Sequence, residues 1–395
     1  MALQHQEKLV VSMIFHDAAA GHDVDYNKSF GRAVEEIGFV HAAVVPKSWQ
    51  TFSDLPSRWF PCLEPGRHSS SRFSPARFLK MISLSSSMAG CIKKHVFPMS
   101  DRIVLFIESF WSFHLVALYL ALWRMSRKHV EIFLLFRWNV TRKPQRLLYK
   151  IMIWLIEKKV GTASLRLLTD SVLLQNALST FLGKAVSVLP IPHTEFPVRD
   201  HGDGRKRDDR LRIWWPGMPH AVKGLNVVRT ILKETGAFAR QFVIVAARSS
   251  NLVSVDGGAR SELIPDYLSR RDYEMRMMES DIVLLPYDKE AYRESTSGIF
   301  VEAIVAGKVP LVTSGTWMAK ELERFQLEEL VFDWSSEGIL ETVSKLSENQ
   351  NMIVKLKRMR ESYIAYHNGG NYTRSLNALF EDSQSDKSSR ALKTT

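Results

Sequence analysis

Two carboxylates with the spacing Glu-x7-Glu, Glu294 and Glu302, mark the stretch of this chain in which chemistry is easiest to recognise. An apolar run at 282–287 precedes them and a second one follows at 309–313. Each run has the length and composition of a buried strand, and the residues between them suit a helix. The sequence therefore predicts a βαβ unit that holds both carboxylates between its strands.

Serine and threonine, which favour the N-cap of a helix, occupy 295–297, so we expect a helix from Gly298 to about Gly307. Free backbone N–H groups and the helix dipole favour a phosphate at such an N-terminus, and Gly298 has no side chain to exclude one. Glu302 lies one turn further on the same helical face, within reach of hydroxyls carried by that phosphate. Glu294 lies on the preceding loop, nearer the far side of the phosphate.

This stretch resembles the donor-binding motif of the retaining glycosyltransferases of the GT-B fold, of the family 4 or group 1 type, which use nucleotide sugars. The resemblance implies that Glu294 is a catalytic residue beside the donor sugar and that Glu302 holds the ribose hydroxyls. It assigns the diphosphate to the backbone amides of Gly298, Ile299 and Phe300. The spacing alone also fits an ordinary helix with two exposed glutamates. The neighbouring residues favour the motif: Asp281, Pro286, Ala303, Gly307 and Pro310.

A second element lies upstream, in RIWWPGMPHAVKGLNVVRTILKE, where a strand-like run and a turn precede an amphipathic helix after Lys223. It resembles the glycine loop and Lys-Gly motif of the same family, which implies a catalytic lysine that stabilises charge on the leaving nucleotide. The arginine common in that loop is Met218 here. Either Arg248, at the end of FVIVAARSS, replaces it, or the diphosphate is held less tightly. A solvated surface lysine is the alternative for Lys223.

Strand-like runs alternate with helical patterns over 395 residues of 45% hydrophobic content, which predicts two α/β domains with parallel sheets. The resemblance implies GT-B architecture, in which two Rossmann-like domains face each other across a cleft. The strands expected in the first domain are 9–15, 40–46, 102–108, 131–137, 164–169 and 186–192. The predicted parts are an acceptor-side domain at 1–198, a linker at 199–210, a donor domain at 211–350, a helix at 351–382 packing on the first domain, and a flexible tail at 383–395.

Several polar residues of the first domain follow predicted strands, where open α/β sheets line their ligand crevice. Gly21 and His22 occupy the place of the family's loop beside the donor phosphates. His114 is a candidate catalytic residue at a helix start. The acceptor-side candidates, for which helix capping or surface polarity is the alternative, are Arg137, Asn139 and Asp170.

The sequence predicts no metal site and no required cofactor. Asp23 and Asp25 form a DxD triplet, but it follows the first strand, far from the predicted phosphate residues. Cys62 and Cys91 lack the spacing of zinc ligands.

The net charge of +11 concentrates in two basic clusters of the first domain. With interleaved aromatic residues they predict a face that docks on anionic lipid, and a solvated basic face is the alternative. No nucleic-acid module is recognisable, so nucleic acid is not expected as a partner. The clusters comprise Arg67, Arg72, Arg77, Lys80, Lys93, Lys94 and Arg102, then Arg124, Arg127, Lys128, Arg142, Lys143, Arg146, Lys150, Lys158 and Lys159, with Phe73, Phe78, Trp138, Tyr149 and Trp154.

The apolar run at 103–123 has the length of a membrane span, but Glu108 and His114 interrupt it, so we expect a strand followed by a helix. The N-terminus does not match a signal peptide, and the chain has two cysteines, so we expect the cytoplasm or the inner face of the plasma membrane.

The resulting hypothesis is a retaining hexosyltransferase that uses a nucleotide-sugar donor and a glycan or lipid-linked acceptor in bacterial cell-surface glycan synthesis. A sugar-nucleotide epimerase of the same fold and a non-catalytic relative that binds a partner or polysaccharide remain the alternatives.

Overall fold

The computed structural model describes residues 8–16, 22–52, 55–64, 75–125, 129–141, 144–194, 196, 210–347 and 349–391, without the side chains of 22–23, 75–77 and 382–391. The chain divides into two compact units. The first contains Met1–Pro192 and Gly369–Thr395, and the second contains His193–Asn368. The predicted Gly21 lies outside the described residues, as does the side chain of His22.

The first unit is built on a seven-stranded sheet in the order β3-β2-β1-β4-β5-β6-β7, with every neighbouring pair parallel. Parallel neighbours need crossover connections, and helices supply them on both faces. The strands are β1 Leu9–Met13, β2 Val40–Pro46, β3 Trp59–Leu63, β4 Arg102–Glu108, β5 His129–Phe136, β6 Leu165–Thr169 and β7 Ser187–Val188. The helices are α1 His22–Glu36, α2 Pro75–Cys91, α3 Ser112–Arg124, α4 Arg146–Val160 and α5 Val172–Leu182.

The second unit has a six-stranded parallel sheet in the order β10-β9-β8-β11-β12-β13. Because β8 continues to β9 on one side and has β11 on its other side, the chain reverses its winding between β8 and β11. The strands are β8 Leu211–Trp215, β9 Phe242–Ala247, β10 Arg260–Ile264, β11 Ile282–Leu285, β12 Val309–Thr313 and β13 Val331–Phe332. The helices are α6 Leu225–Ile231, α7 Arg270–Glu279, α8 Gly298–Val305, α9 Trp317–Glu323, α10 Ile339–Ser347 and α11 Gln350–Tyr366.

The predicted pair of α/β domains with parallel sheets is confirmed. The apolar run at 103–123 forms β4 and α3, joined at Ser109, whose φ is 53°. No helix among the described residues is long and apolar enough to cross a membrane. The sequence analysis missed β3, which contains Pro61 and forms the edge of its sheet, where a missing N–H donor is tolerated.

The last part of the chain differs from the predicted single helix at 351–382. It forms α11, which belongs to the second unit, and a separate helix α12, Gly369–Ala391, which belongs to the first. Tyr372, Leu376 and Phe380 of α12 are buried in a core shared with α1 and the sheet. The backbone helix continues through 383–391, a segment predicted to be flexible.

Cys62, on β3, and Cys91, at the end of α2, form a disulfide with their Cα atoms 6.0 Å apart. The bond ties the edge strand of the first sheet to the helix that follows it, a pairing that the sequence analysis did not predict.

Two loops of the second unit touch at Gly224, which has a φ of 82°. A Cβ atom added there would lie 2.1 Å from the carbonyl oxygen of Pro286, so only glycine fits. Gly315, with a φ of 72°, has no atom within 4 Å of an added Cβ. The two positions therefore share the backbone conformation and differ in the space available.

We expect Gly224→Ala to lower the free energy of unfolding of the second unit by about 2 kcal/mol more than Gly315→Ala, because only the first adds a collision to the strained backbone. Chemical denaturation combined with hydrogen exchange of the second unit would measure both losses. Equal losses would show that the two loops separate at little cost.

Candidate functional site

The candidate site of the second unit lies at the carboxyl edge of its sheet, beyond β8 and β11. In open parallel sheets ligands bind where the winding reverses, which here is between these two strands. The loop after β8 carries Gly217 and Lys223, and the loop after β11 carries Glu294 and leads into α8. Both predicted motifs therefore lie at one edge of one sheet.

The helix α8 begins at Gly298, as predicted, and Ser297 is its N-cap. The Ser297 hydroxyl accepts a hydrogen bond from the backbone N–H of Phe300 at 3.2 Å. The first turn of a helix leaves four N–H groups without helical partners, so those of Gly298 and Ile299 remain suited to an anion. Phe300 itself is fully buried, so its backbone rather than its side chain could face a ligand.

The ammonium group of Lys223 lies beside this helix start. A Cβ atom placed on Gly217 would be 2.7 Å from Lys223 Nζ and 4.0 Å from Ile299 Cδ1, so the glycine, the lysine and the first turn of α8 meet. Burial lowers the pKa of Lys223. Among the described residues the ammonium has no carboxylate and no hydrogen-bond acceptor, and it lies 5.7 Å from the centroid of the Tyr287 ring.

Lys223 is half-buried, and a partly desolvated cation without a counterion carries a cost that an anionic ligand would remove. Lys223 is therefore not the solvated surface lysine that the sequence left open. Gly217 has a φ of 86°, and a side chain there would have to displace the flexible end of Lys223.

Glu302 is buried one turn into α8, and its carboxylate is held by two side chains of α7. Arg270 Nη1 donates to Oε1 at 2.9 Å and the Tyr273 hydroxyl donates to Oε2 at 2.6 Å. Burial raises the pKa of Tyr273 well above its ordinary value, and the charge of Glu302 raises it further. The phenol is thus a fixed hydrogen-bond donor to Glu302.

The sequence analysis missed Arg270 and Tyr273. The available signal was Ser269, which caps α7 by accepting from the N–H of Asp272 at 3.1 Å and places Arg270 at a helix start after β10. That start lies at the carboxyl edge of the sheet, where ligand residues gather.

The other predicted residues of the second unit are less closely involved. Glu294 lies half-buried on the loop before α8, as predicted. Arg248 is exposed after β9, and its charge acts on Asp266, after the outer strand β10. No recorded contact joins Arg248 to Lys223 or to α8 within the described part of the chain.

The first unit holds a cluster of its own at the carboxyl ends of three neighbouring strands, β4, β5 and β6. Arg137 donates to Glu108 at 2.8 Å and to Asp170 at 2.7 Å, and all three side chains are largely buried. Burial alone would lower the pKa of Arg137, but the two carboxylates outweigh it and the pKa is raised. Asn27 donates to the other oxygen of Glu108 at 2.6 Å.

The structure brings the predicted Arg137 and Asp170 together and adds Glu108, which the sequence analysis did not select. Asn139 is buried and accepts from the N–H of Thr141 at 2.8 Å, a local turn contact. His114 is buried in the first turn of α3, where Nδ1 accepts from the N–H of Trp111 at 3.0 Å.

His114 also stacks on Phe15, with ring centroids 4.1 Å apart. These contacts give the imidazole a capping function, and its catalytic role stays a prediction. No group of three His, Cys, Asp or Glu side chains suited to a metal ion occurs among the described residues.

The Arg270–Glu302 pair can be tested by removing its charges. Because Arg270→Met removes the cation that pairs with the buried Glu302 carboxylate, we expect a loss of about 3 kcal/mol in the free energy of unfolding. The double variant Arg270→Met/Glu302→Met should recover most of that loss. Lys345→Met is the control, since Lys345 pairs with Glu341 at the surface and should cost less than about 1 kcal/mol. A loss at Arg270 no larger than the control would exclude the network as a stabilising element.

A scan against protein-family models and a search of curated proteins found no match. Solved structures do match. Sucrose-phosphate synthase from Thermosynechococcus elongatus is 11% identical, with a TM-score of 0.64 over 96% of this chain and 100% of that chain. The N-terminal domain of Candida albicans trehalose-6-phosphate phosphatase is also 11% identical, with a TM-score of 0.64 over 97% and 98%.

A trehalose-6-phosphate synthase, described in work on glycosyl transfer with retention, is 10% identical, with a TM-score of 0.62 over 95% of this chain and 99% of that chain. At this identity the likeness concerns the fold alone. It extends over nearly the whole of each chain, and the chain therefore has the GT-B fold that these sucrose-phosphate and trehalose-6-phosphate synthases share.

Proposed function

We propose that this chain transfers a sugar from a nucleoside-diphosphate sugar to an acceptor. The observation that carries the proposal is the half-buried Lys223, whose ammonium has no counterion among the described residues and lies beside Gly217 and the first turn of α8. A diphosphate bound there would receive N–H groups from the helix start and a positive charge from the lysine. Charge that builds up on the leaving phosphate would be stabilised by the same groups.

The nucleoside would lie beside Glu302. Its carboxylate would accept hydrogen bonds from the ribose hydroxyls, while Arg270 and Tyr273 hold it in place. Arg270 also pairs with Glu274 at 2.6 Å, so its charge is shared between two carboxylates, and we assign it to positioning rather than to the diphosphate. Glu294, on the loop before α8, would face the donor sugar.

We further propose that transfer retains the anomeric configuration and needs no metal ion. The bond between the anomeric carbon and the leaving phosphate oxygen breaks as the acceptor oxygen bonds to the same face, and the leaving phosphate takes the acceptor proton. The Glu-x7-Glu resemblance supports retention, as does the likeness to a trehalose-6-phosphate synthase studied for glycosyl transfer with retention. The positive groups at the site, Lys223 and the start of α8, supply the charge stabilisation that a metal ion would otherwise give.

For the acceptor we propose a glycan or lipid-linked sugar, used in cell-surface glycan synthesis on the cytoplasmic side of the membrane. The carboxyl edge of the first sheet supports a polyhydroxyl ligand, since Asp170 Oδ1 is buried and has no hydrogen-bond partner among the described residues. A sugar hydroxyl could donate to it, with Arg137 holding the carboxylate in place.

One observation favours a second function, binding without catalysis. Met218 stands where the related motif has arginine, and the same fold occurs in a domain of a trehalose-6-phosphate phosphatase. In that case the site would bind a sugar nucleotide or a glycan and release no product.

The test is calorimetric titration with UDP-, GDP-, ADP- and TDP-sugars, followed by a product assay with the donor that binds. We expect Lys223→Met to weaken donor binding by at least about tenfold, since a charge-assisted contact to phosphate is lost. Its thermal midpoint should match or exceed that of the wild type, because the variant removes a half-buried charge that has no counterion among the described residues. Lys320→Met, at an exposed lysine of α9, is the control and should bind normally.

The lowered pKa of Lys223 also gives a pH test. The ammonium is charged below that pKa, so donor affinity should fall with rising alkaline pH earlier than an ordinary lysine would allow. Lys223→Arg should remove this dependence, because guanidinium stays protonated. Selective binding without turnover would favour the non-catalytic function, whereas no binding to any donor would refute the donor site.

A further inference from the structure

The outer face of α4 is unusual for a helix at a protein surface. Its inner face buries Tyr149, Met152, Ile153 and Ile156 in the core of the first unit. Its outer face nevertheless exposes large apolar side chains, with relative exposures of 65% for Leu147, 42% for Ile151 and 51% for Trp154. Because these positions recur at helical spacing, they form one continuous strip rather than scattered exceptions.

The exposed charges on the same face have one sign. Arg146, Lys150 and Lys158 are exposed beside the apolar strip. Glu157, one residue before Lys158, lies two turns beyond Lys150 on the same side of the helix, but its side chain is only 13% exposed and is paired with Lys184 at 2.7 Å. The exposed side chains of this face are therefore apolar or cationic, and its carboxylate is already neutralised by Lys184.

The strip extends to the end of α3. Trp123 is 59% exposed, and Lys159 Nζ lies 3.9 Å from the centroid of its ring. We call the whole surface the docking strip, and it consists of Trp123, Arg146, Leu147, Lys150, Ile151, Trp154, Lys158 and Lys159. From Leu147 to Lys158 it is about 16 Å long at the rise of an α-helix.

The structure thus corrects the membrane-docking face expected from the sequence. Tyr149 is fully buried, and Trp138 is half-buried with its ring 5.0 Å from that of Trp111. Phe78 is exposed on α2, and Phe73 lies outside the described residues. Trp154 belongs to the strip, and Trp123, which the charge pattern alone did not select, joins it.

We propose that the docking strip binds the surface of a membrane rich in anionic lipid, with α4 parallel to the bilayer plane. Trp123, Trp154 and the aliphatic side chains would enter the headgroup region, where tryptophan is favoured. The lysines and arginine would reach the lipid phosphates while their aliphatic stems cover apolar surface.

Charge complementarity selects this occupant. A second copy of the chain would bring the same positive charges face to face, and nucleic acid would leave Leu147 and Ile151 without apolar contacts. The link between the strip and a lipid-linked acceptor rests on the proposed function, whereas docking itself rests on the surface alone.

The experiment is co-sedimentation of the full chain with vesicles of phosphatidylcholine alone and of an equal mixture of phosphatidylcholine and phosphatidylglycerol. We expect binding to the mixed vesicles that weakens with added salt, and little binding to the neutral ones. Lys150→Glu/Ile151→Ser should reduce partitioning by about tenfold or more, since a cation near anionic lipid and a buried aliphatic group are both lost.

The control is Ile353→Ser/Lys357→Glu on α11, because Ile353 is 43% exposed, as Ile151 is, and Lys357 is exposed as well. This variant makes the same two changes of residue type on a surface outside the strip, and it should bind vesicles like the wild type. Circular dichroism should show that both variants are folded.

Failure of the wild type to bind mixed vesicles, equal binding to neutral vesicles, or equal losses in both variants would each overturn the proposal. Donor titration of the same proteins keeps the two hypotheses apart. The strip variant should bind the donor normally, and a wild type that binds vesicles but no donor would refute only the proposed transfer.

Discussion

The contact between the backbone at Gly224 and the carbonyl of Pro286 fixes the site of the second unit. It joins the loop after β8 to the residue that follows β11, and so brings the Lys223 loop beside the start of the loop that leads to α8. Each partner is restricted, since the glycine has a positive φ and the proline has no N–H to donate. The placement of Lys223 at this edge of the sheet depends on this approach.

The buried charges of the two units are arranged differently. In the first unit Arg137 pairs with both Glu108 and Asp170. In the second unit Arg270 likewise pairs with Glu302 and Glu274, whereas Lys223 has no ion-pair partner among the described residues. A cation that is already paired adds little affinity for an anionic ligand, while a half-buried cation without a counterion favours one. The asymmetry is the physical reason for placing the diphosphate beside Lys223.

How far the sequence predicted this arrangement depended on the range of each interaction. Ser297, Gly298 and Pro286 act on their chain neighbours, so the limits of β11 and α8 followed from residue types. Gly217 and Gly224 also predicted a turn correctly.

The Arg270–Glu302 contact joins residues 32 positions apart. The segment around Arg270 is polar, and no apolar periodicity indicates which face of that helix is buried. The sequence analysis treated Glu108 only as an interruption of an apolar run. Its partners follow β5 and β6, and their proximity to Glu108 is evident only when the strands are aligned in the sheet. The sequence analysis missed the edge strand that contains Pro61, because proline usually indicates the end of a strand.

The first unit is assembled from two separate parts of the chain, because α12 returns to it after the whole second unit. During synthesis the ribosome releases the segment up to Pro192 long before α12 exists. Until then the face of the first sheet that later receives Tyr372, Leu376 and Phe380 is covered by α1 but not yet by α12. The second unit is continuous and can complete its core earlier, although it begins later. The first unit can therefore complete its core only after α12 has been synthesised. Although its larger segment is synthesised first, the first unit is completed after the second.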